Sequence, residues 1–285
     1  MPGKLYVVAT PIGNMADLSP RAAGVLREVD IIAAEDTRVT GRLLERMQAP
    51  ASTVGPEARS QRMLSYREET ERKLAPALVA RMQKGESVAL VSDAGTPGVS
   101  DPGYRLVSAA AAAGIEVVAV PGPSAVVALL SISGLPTDRF SYEGFPPAKA
   151  SARRRLFESL RGAGRTVVFY ESPRRVKAFL EELAATLDDP VVAVGRELTK
   201  MYEQVLRGRA SEVAAGMAAG APRGEFTIAV HVAAGEQELS GDALESEVTA
   251  LLEAGMPARD IAAALKPRGA HRRDVYDVIR RLERK

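Results

Sequence analysis

Two loops rich in Gly, Pro, Asp and Ser carry the side chains best suited to chemistry in this chain. Residues 92–97 read Ser-Asp-Ala-Gly-Thr-Pro and follow the apolar run 88–91, while residues 121–125 read Pro-Gly-Pro-Ser-Ala and follow the apolar run 116–120. A short β-branched run that ends in such residues indicates a buried strand breaking into a tight turn. In open α/β sheets, ligands bind at these carboxyl ends of strands. The pattern therefore predicts a pocket for a small polar ligand.

Composition limits the kind of chemistry that such a pocket supports. The chain has 285 residues, 46% of them hydrophobic and 26% charged, which is typical of a globular protein with one or two domains. It has no cysteine and only two histidines, His231 and His271, so we expect no thiol nucleophile and no metal site. No apolar run approaches the roughly 20 residues of a membrane helix, and the first strand-like run begins at Leu5 instead of a signal peptide. We expect a cytoplasmic protein without membrane association.

The elements that must position the two loops alternate between strands and helices. The predicted strands span residues 5–9, 31–34, 88–91, 116–120, 140–143, 166–170, 191–194, 204–208 and 226–232. The predicted helices span residues 19–28, 40–47, 69–83, 104–113, 124–131, 151–160, 174–187, 243–253, 258–265 and 270–282, with Ser19 as an N-cap. This alternation favours the α/β class.

The same pattern divides the chain into three predicted domains. The first is an N-terminal α/β domain over residues 1–120, and the second is a C-terminal α/β domain over residues 121–233. A polar linker at 234–242 leads to a small helical domain, similar to a helix-turn-helix, over residues 241–285. Neither a Gly-x-Gly-x-x-Gly fingerprint nor a P-loop is present, which leaves a less common type of nucleotide-like ligand.

Eight short motifs occur in a fixed order along the chain. They are TPIGN at 10–14, AEDTR at 34–38, SDAGTP at 92–97, DPG at 101–103, PGP at 121–123, EGF at 143–145, FYES at 169–172 and RELTK at 196–200. One such motif is weak evidence, but the ordered set is specific. It resembles the tetrapyrrole-methylase superfamily and, within it, the family of ribosomal RNA small-subunit methyltransferases.

This resemblance implies two α/β domains that hold S-adenosylmethionine in the cleft between them. It further implies methylation of the ribose 2′-hydroxyl of a decoding-centre cytidine, cytidine 1402, of 16S rRNA within the 30S subunit, and a homodimeric enzyme. Carried over residue by residue, the cofactor contacts are Ile12, Ser92, Asp93, Thr96, Ser124, Ala125, Glu171, Leu198 and Thr227. For Asp93 the alternative interpretation is a turn cap, and the same holds for Asp101.

Methyl transfer to a hydroxyl needs alignment and a group that promotes deprotonation. The candidates at strand ends are Glu35, Asp36, Arg38, Glu197 and Lys200, and the sequence does not choose among them. Asp36 and Arg38 are equally consistent with a surface ion pair.

Recognition of RNA requires cations for phosphates and exposed rings for unstacked bases. The predicted RNA contacts are Arg153, Arg154, Arg155, Arg174 and Arg175, for which a solvated helix face is the alternative. The rings of Tyr66, Phe145 and Tyr170 are available for stacking.

Two other function classes stay open on the sequence. One is a methyltransferase of the same fold that acts on a tetrapyrrole or another small molecule. The other is a nucleic-acid-binding protein without catalysis that reads its target through the basic C-terminal helices. A pure binding protein has no use for two Gly/Pro ligand loops, which favours an enzyme.

Overall fold

The computed structural model describes residues 1–48, 62–217, 224–235, 241–266 and 269–282. The strands are β1 (Leu5–Val8), β2 (Ile31–Ala34), β3 (Arg62–Ser65), β4 (Val88–Val91), β5 (Val117–Val120), β6 (Phe140–Tyr142), β7 (Ala163–Glu171), β8 (Val191–Arg196), β9 (Gln204–Arg209) and β10 (Phe226–Ala234). The helices are α1 (Pro20–Glu28), α2 (Thr37–Gln48), α3 (Glu68–Gln83), α4 (Tyr104–Ala112), α5 (Ala125–Ser133), α6 (Ala150–Leu160), α7 (Val176–Thr186), α8 (Ala210–Gly216), α9 (Gly241–Glu253), α10 (Ala258–Leu265) and α11 (Arg272–Leu282). A short 3₁₀ helix spans Met15–Asp17.

The first sheet is parallel throughout and has the strand order β3-β2-β4-β1-β5. All four residues of β2 and all four of β4 are buried, because helices cover both faces of the sheet. One apolar cluster joins it to α3 and α4, and another joins it to α1 and α2. Strands of a parallel sheet all end at the same edge, so the loops that follow β1, β4 and β5 lie together.

The second sheet is mixed and has the strand order β6-β7-β10-β8-β9. β6 pairs with β7 in parallel, and the remaining pairs are antiparallel. On one face lie α6, α7 and α8, with Phe157, Phe169 and Phe179 in edge-to-face contact at centroid distances of 5.1–6.2 Å. The other face packs against α5 and against Ile12 from the first sheet's side. Ile12 thus connects the two halves directly.

The last three helices pack on one another around a cluster of their own, which includes Leu244, Val248, Ile261 and Val275. Strands β1–β5 form one sheet and strands β6–β10 form the other. The exact domain limits at 120, 233 and 241 stay a prediction. The predicted linker lies mostly outside the described residues, which resume at Gly241. No helix in the described parts of the chain is long and apolar enough to span a membrane.

The α/β class is confirmed, and most predicted elements occur within a few residues of their expected ends. The side chain of Ser19 caps α1 by accepting a hydrogen bond from the Ala22 N–H at 3.0 Å, as predicted. Among the strands and α-helices, β3 and α8 were not predicted. β3 reads Arg-Met-Leu-Ser and α8 has only seven residues, so neither shows an apolar periodicity that sequence patterns reveal.

Candidate ligand site between the two sheets

A cavity of about 280 Å³ lies where loops of the first sheet face the second sheet. The first half contributes Ile12, Ala94, Gly95, Thr96, Val99, Ser100, Asp101, Ser124 and Ala125. The second half contributes Phe145, Tyr170, Glu171, Ser172, Pro173, Leu198, Gly224, Glu225, Phe226 and Thr227. The volume is close to the lower end of the range for small-molecule sites.

Backbone hydrogen bonds hold the cavity loops of the first sheet to one another. Thr10 and Gly95 form an isolated antiparallel bridge, with N···O distances of 2.8 and 3.1 Å. The Thr96 hydroxyl donates to the carbonyl of Pro123 at 3.3 Å, which ties the loop after β4 to the loop after β5. Gly95 has a φ of +82°, a conformation that L side chains rarely adopt. The glycine is therefore required for the turn that forms this wall.

The loop after β1 also reaches the second half of the molecule. A Cβ atom at Gly13 would lie 2.4 Å from Cγ of Lys200 and 3.2 Å from the carbonyl oxygen of Leu198. Only a residue without a side chain permits this approach. The close contact brings Ile12 and Leu198 into the same apolar cluster beneath the cavity.

At the end of β7, Glu171 presents a fully buried carboxylate to the cavity. Its Oε1 atom accepts hydrogen bonds from the Ser172 N–H at 2.6 Å and from Nε of Arg175 at 2.8 Å. Its Oε2 atom is buried and has no hydrogen-bond partner among the described residues. A buried acceptor without a partner is costly, so this oxygen is suited to a donor supplied by a ligand.

The cavity is acidic. Asp101, Glu171 and Glu225 line it, and none of its described lining residues is Lys, Arg or His. Burial, together with the negative charge of Glu35, raises the pKa of Asp101 to about 6. Arg175 pairs with Glu171 and Lys200 pairs with Glu225, so the attraction for a cationic ligand comes mainly from Asp101.

Aromatic side chains surround the mouth of the cavity on the side of the second sheet. Tyr170 contacts Tyr142 and Phe145 edge to face, at centroid distances of 5.0 and 5.6 Å. The Tyr142 hydroxyl lies 2.5 Å from Oγ of Ser100, which links the sheet to the loop after β4. Phe145 is 58% exposed, so its ring is accessible to a ligand or substrate at the mouth.

Seven of the nine predicted cofactor contacts line this cavity: Ile12, Thr96, Ser124, Ala125, Glu171, Leu198 and Thr227. The structure places Ser92 and Asp93 elsewhere, in the wall of a second cavity of about 490 Å³ beside α2. Both belong to the loop whose next residues, Ala94 to Thr96, face the first cavity. The two cavities therefore lie on opposite sides of one loop.

Three of the predicted catalytic residues gather near Asp93. Its backbone N–H donates to Oε2 of Glu35 at 3.1 Å, and its own Oδ1 accepts from the Asp36 N–H at 3.0 Å. Burial raises the pKa of Glu35 and that of Asp93. Asp36 instead forms an exposed ion pair with Arg38, whose hydrogen bonds hold the Asp36 pKa well below its usual range. Glu35 and Asp93 are thus better proton acceptors than Asp36.

The other two predicted catalytic residues form a separate cluster on the second half. Lys200 Nζ lies 3.0 Å from Oε1 of Glu197 and 2.9 Å from Oε2 of Glu225. Burial acts to raise the Glu197 pKa, but hydrogen bonds from Lys200 and from the Glu225 N–H bring it below its ordinary value. Burial acts to lower the Lys200 pKa, and its two carboxylate partners raise it. Glu197 and Lys200 therefore stay ionised near neutral pH.

The predicted RNA contacts divide into two groups. Arg154, Arg155 and Arg174 are exposed. Arg153, in contrast, is only 5% exposed, and its guanidinium binds the Glu182 carboxylate at 2.7 and 2.9 Å and the carbonyls of Pro147 and Ala148.

Two of these arginines, Arg153 and Arg175, are engaged within the protein, and phosphate contact by the five arginines stays a prediction. Arg153 faces inward because position 153 falls on the buried side of α6, next to Phe157 and Leu160. Arg175 pairs with Glu171 and points toward the cavity wall. Both guanidinium groups are thus occupied within the protein.

Two carboxylates of the cavity, those of Asp101 and Glu225, were not predicted to bind a ligand. Asp101 belongs to the DPG motif, for which a turn cap was the alternative interpretation, and the motif itself was a usable signal. Glu225 follows a segment outside the described residues and belongs to no motif. Among the described residues, no group of three or more His, Cys, Asp or Glu side chains is arranged to hold a metal ion.

Comparison with known proteins identifies the family to which the chain belongs. Residues 4–214 match the family model of the tetrapyrrole (corrin/porphyrin) methylases. Among solved structures, uroporphyrin-III C-methyltransferase from Thermus thermophilus, complexed with S-adenyl homocysteine, superposes with a TM-score of 0.52 at 20% identity, covering 81% of this chain and 98% of that one. At this identity the likeness concerns the fold.

Relatives with higher sequence identity identify a group within this family. A protein from Synechocystis sp. named ribosomal RNA small subunit methyltransferase I is 40% identical, with 99% of each chain covered. A protein of the same name from Escherichia coli O157:H7 is 43% identical, with 92% of this chain and 88% of that one covered. The chain belongs to the tetrapyrrole methylase family and, within it, to the ribosomal RNA small subunit methyltransferase I group.

Proposed function

We propose that this protein transfers a methyl group from S-adenosylmethionine to the ribose 2′-hydroxyl of cytidine 1402 of 16S rRNA within the 30S subunit. The observation that carries the proposal is the near-full-length identity of 40–43% to proteins named for methylation of small-subunit ribosomal RNA. The reaction takes place in the cytoplasm, where 30S subunits are found. The first cavity is the proposed cofactor site.

The residues of the first cavity fit this cofactor. S-adenosylmethionine carries a sulfonium and an ammonium group, and the cavity offers three carboxylates without a basic lining residue among those described. The unpartnered Oε2 of Glu171 is an acceptor for a hydroxyl or an ammonium group. The buried hydroxyl of Thr227 and the backbone of the loop 94–96 supply further polar contacts. The bound cofactor would supply an electrophilic methyl group.

The protein's own side chains then have to align the ribose hydroxyl and receive its proton. Asp101 lies in the first cavity and Asp93 in the second, with Glu35 beside both. We assign proton acceptance to this group of carboxylates, because their raised pKa values make them stronger bases than ordinary carboxylates. Glu197 and Lys200, which pair with each other and contact the cavity residue Glu225, are assigned a positioning role.

Incubation of the purified protein with 30S subunits that lack the modification and with methyl-labelled S-adenosylmethionine tests this function. We expect the label in one 2′-O-methylcytidine after nuclease digestion. A tetrapyrrole substrate, which carries several carboxylates, serves as the comparison. We expect no transfer to it, because the near-full-length relatives at 40–43% identity are named for methylation of ribosomal RNA. Labelled tetrapyrrole and unlabelled 30S subunits would favour the alternative small-molecule activity.

We further propose that the protein is a homodimer. α5 is apolar on nearly every side. Its residues Val126, Leu129 and Leu130 are buried, whereas Val127 is 58% exposed and Ile132 is 41% exposed. Exposed apolar side chains on a surface helix suit contact with a second copy. The two exposed residues mark the face that we expect at the dimer interface.

A further inference from the structure

The second cavity has a composition that differs from the first. Its described lining residues come from the loop after β1 (Thr10, Pro11, Gly13), from the 3₁₀ helix (Met15), from α2 (Val39, Thr40, Arg42, Leu43, Arg46) and from the loop after β4 (Ser92, Asp93). It contains two arginines and one aspartate, whereas the first contains three carboxylates. The two cavities are therefore suited to ligands of opposite charge.

Arg42 and Arg46 are one helical turn apart, so both project from the same face of α2. Both are exposed, and neither forms an ion pair or a hydrogen bond with any described residue. Arg38, one turn earlier, differs because its guanidinium is bound to Asp36. Two unpaired guanidinium groups at this spacing are suited to phosphate oxygens.

The two cavities share their walls. Pro11 and Gly13 face the second cavity, while Ile12 between them faces the first. In the same way Ser92 and Asp93 face the second cavity, and the next three residues face the first. The Asp93 carboxylate lies in the second cavity as an acceptor for a hydroxyl group. In the second cavity, Arg42 and Arg46 would thus donate hydrogen bonds to the phosphates of a nucleotide, and Asp93 would accept one from its hydroxyl group, next to the first cavity.

On these grounds, and resting on the proposed function, we propose that Arg42 and Arg46 bind the phosphodiester backbone of the substrate RNA strand. This contact places the target nucleotide in the second cavity. The occupant is single-stranded RNA, because a strand must leave its helix for one ribose to reach a recessed site. Nearby carboxylates belong to Glu35, Asp36, Glu45 and Asp93. Those of Glu35, Asp36 and Asp93 each accept a hydrogen bond from a backbone N–H of the protein.

The test compares three double variants with the wild type. Arg42→Gln with Arg46→Gln removes two positive charges from the cavity. Arg72→Gln with Lys73→Gln removes two charges from the exposed face of α3 and is the matched control. Arg42→Lys with Arg46→Lys keeps the charge but not the planar donor geometry. All substituted side chains are exposed, so we expect unchanged melting temperatures and unchanged S-adenosylmethionine affinity.

The readouts are binding of a labelled single-stranded 16S rRNA fragment and of 30S subunits over a range of salt concentrations. We expect Arg42→Gln with Arg46→Gln to weaken binding about tenfold, and to reduce the slope of log affinity against log salt by about 1.4, the value for two contacts on a single strand. The lysine variant should keep most of the slope. Equal affinity and slope for the glutamine variant and the α3 control would overturn the proposal.

Methyl transfer separates this proposal from the proposed function. If the wild type and the Arg42→Gln, Arg46→Gln variant methylate 30S subunits with equal KM, the function stands and the RNA site is wrong. If the wild type binds RNA through these arginines but transfers no methyl group to it, the RNA site stands and the function is wrong. A wild-type protein that binds neither the fragment nor the subunit would overturn both.

Discussion

The carboxylate of Glu171 is held by the guanidinium of Arg175, with Nη2 of Arg175 2.7 Å from Oε1 of Glu171. The pair spans one turn from the end of β7 to the start of α7. It fixes one carboxylate oxygen against the protein and leaves the other, Oε2, buried at the cavity wall without a partner. A ligand donor at Oε2 would complete the hydrogen bonding of the carboxylate, which connects the ion pair to cofactor binding.

Glu171→Gln should weaken S-adenosylmethionine binding by about tenfold to a hundredfold. An amide of the same size loses the negative charge and presents a weaker acceptor, and a charged hydrogen bond contributes about 1.5–3 kcal/mol. Isothermal titration calorimetry measures the effect. Glu181→Gln, on the same half of the molecule and exposed on α7, is the control. Equal affinity for the two variants would remove Glu171 from the cofactor site.

Cofactor affinity should fall as the pH is lowered from about 7 to about 5. The pKa of Asp101 is about 6, so its carboxylate is ionised above this value and becomes protonated below it. At about pH 5 only about a tenth of it stays charged, and a cationic ligand loses its attraction to this group. Asp101→Asn should bind more weakly at neutral pH and lose most of this dependence. Identical pH profiles for the wild type and Asp101→Asn would show that Asp101 does not face the cofactor.

Arg153→Ala should destabilise the protein by about 2–4 kcal/mol, while Arg154→Ala should change stability by less than about 0.5 kcal/mol. The Arg153 guanidinium is buried and makes four hydrogen bonds, and its loss leaves the partly buried Glu182 carboxylate and two carbonyls without their donor. Chemical denaturation measures both changes. If Arg154→Ala instead lowers RNA affinity at unchanged stability, the exposed side of α6 contacts RNA as predicted from the sequence. Equal stability losses for both variants would contradict the structural role of Arg153.

Sedimentation at micromolar concentration should give the mass of two chains. Replacement of Val127 and Ile132 by aspartate introduces like charges at the proposed interface and should produce monomers. Val191→Asp, at an exposed apolar residue on β8, is the control for a general effect of surface charge. A wild-type monomer, or a dimer unaffected by the substitutions on α5, would contradict the proposed assembly.

The sequence predicted the α/β class and the ordered loops because strand-end motifs such as TPIGN and SDAGTP are local signals. It could not separate the two cavities. Asp93 and Thr96 lie three residues apart in one loop, yet they line different cavities, which the residue types of the loop do not reveal. The same limit applies to Arg153 and Arg154, since an arginine triplet does not reveal which member faces the core. The pairing of Arg175 with Glu171 likewise depends on the turn between β7 and α7.

Transfer of a labelled methyl group to 30S subunits, with mass spectrometry of the digested 16S rRNA, is the direct test of the proposed methyltransferase function. We expect one 2′-O-methylated cytidine in the decoding centre for the wild type. We expect a rate lowered at least tenfold for Glu171→Gln at limiting cofactor, in line with the hydrogen-bond energies given above. Absence of label in the RNA from the wild type, under conditions in which calorimetry shows bound S-adenosylmethionine, would show that the protein does not methylate this RNA.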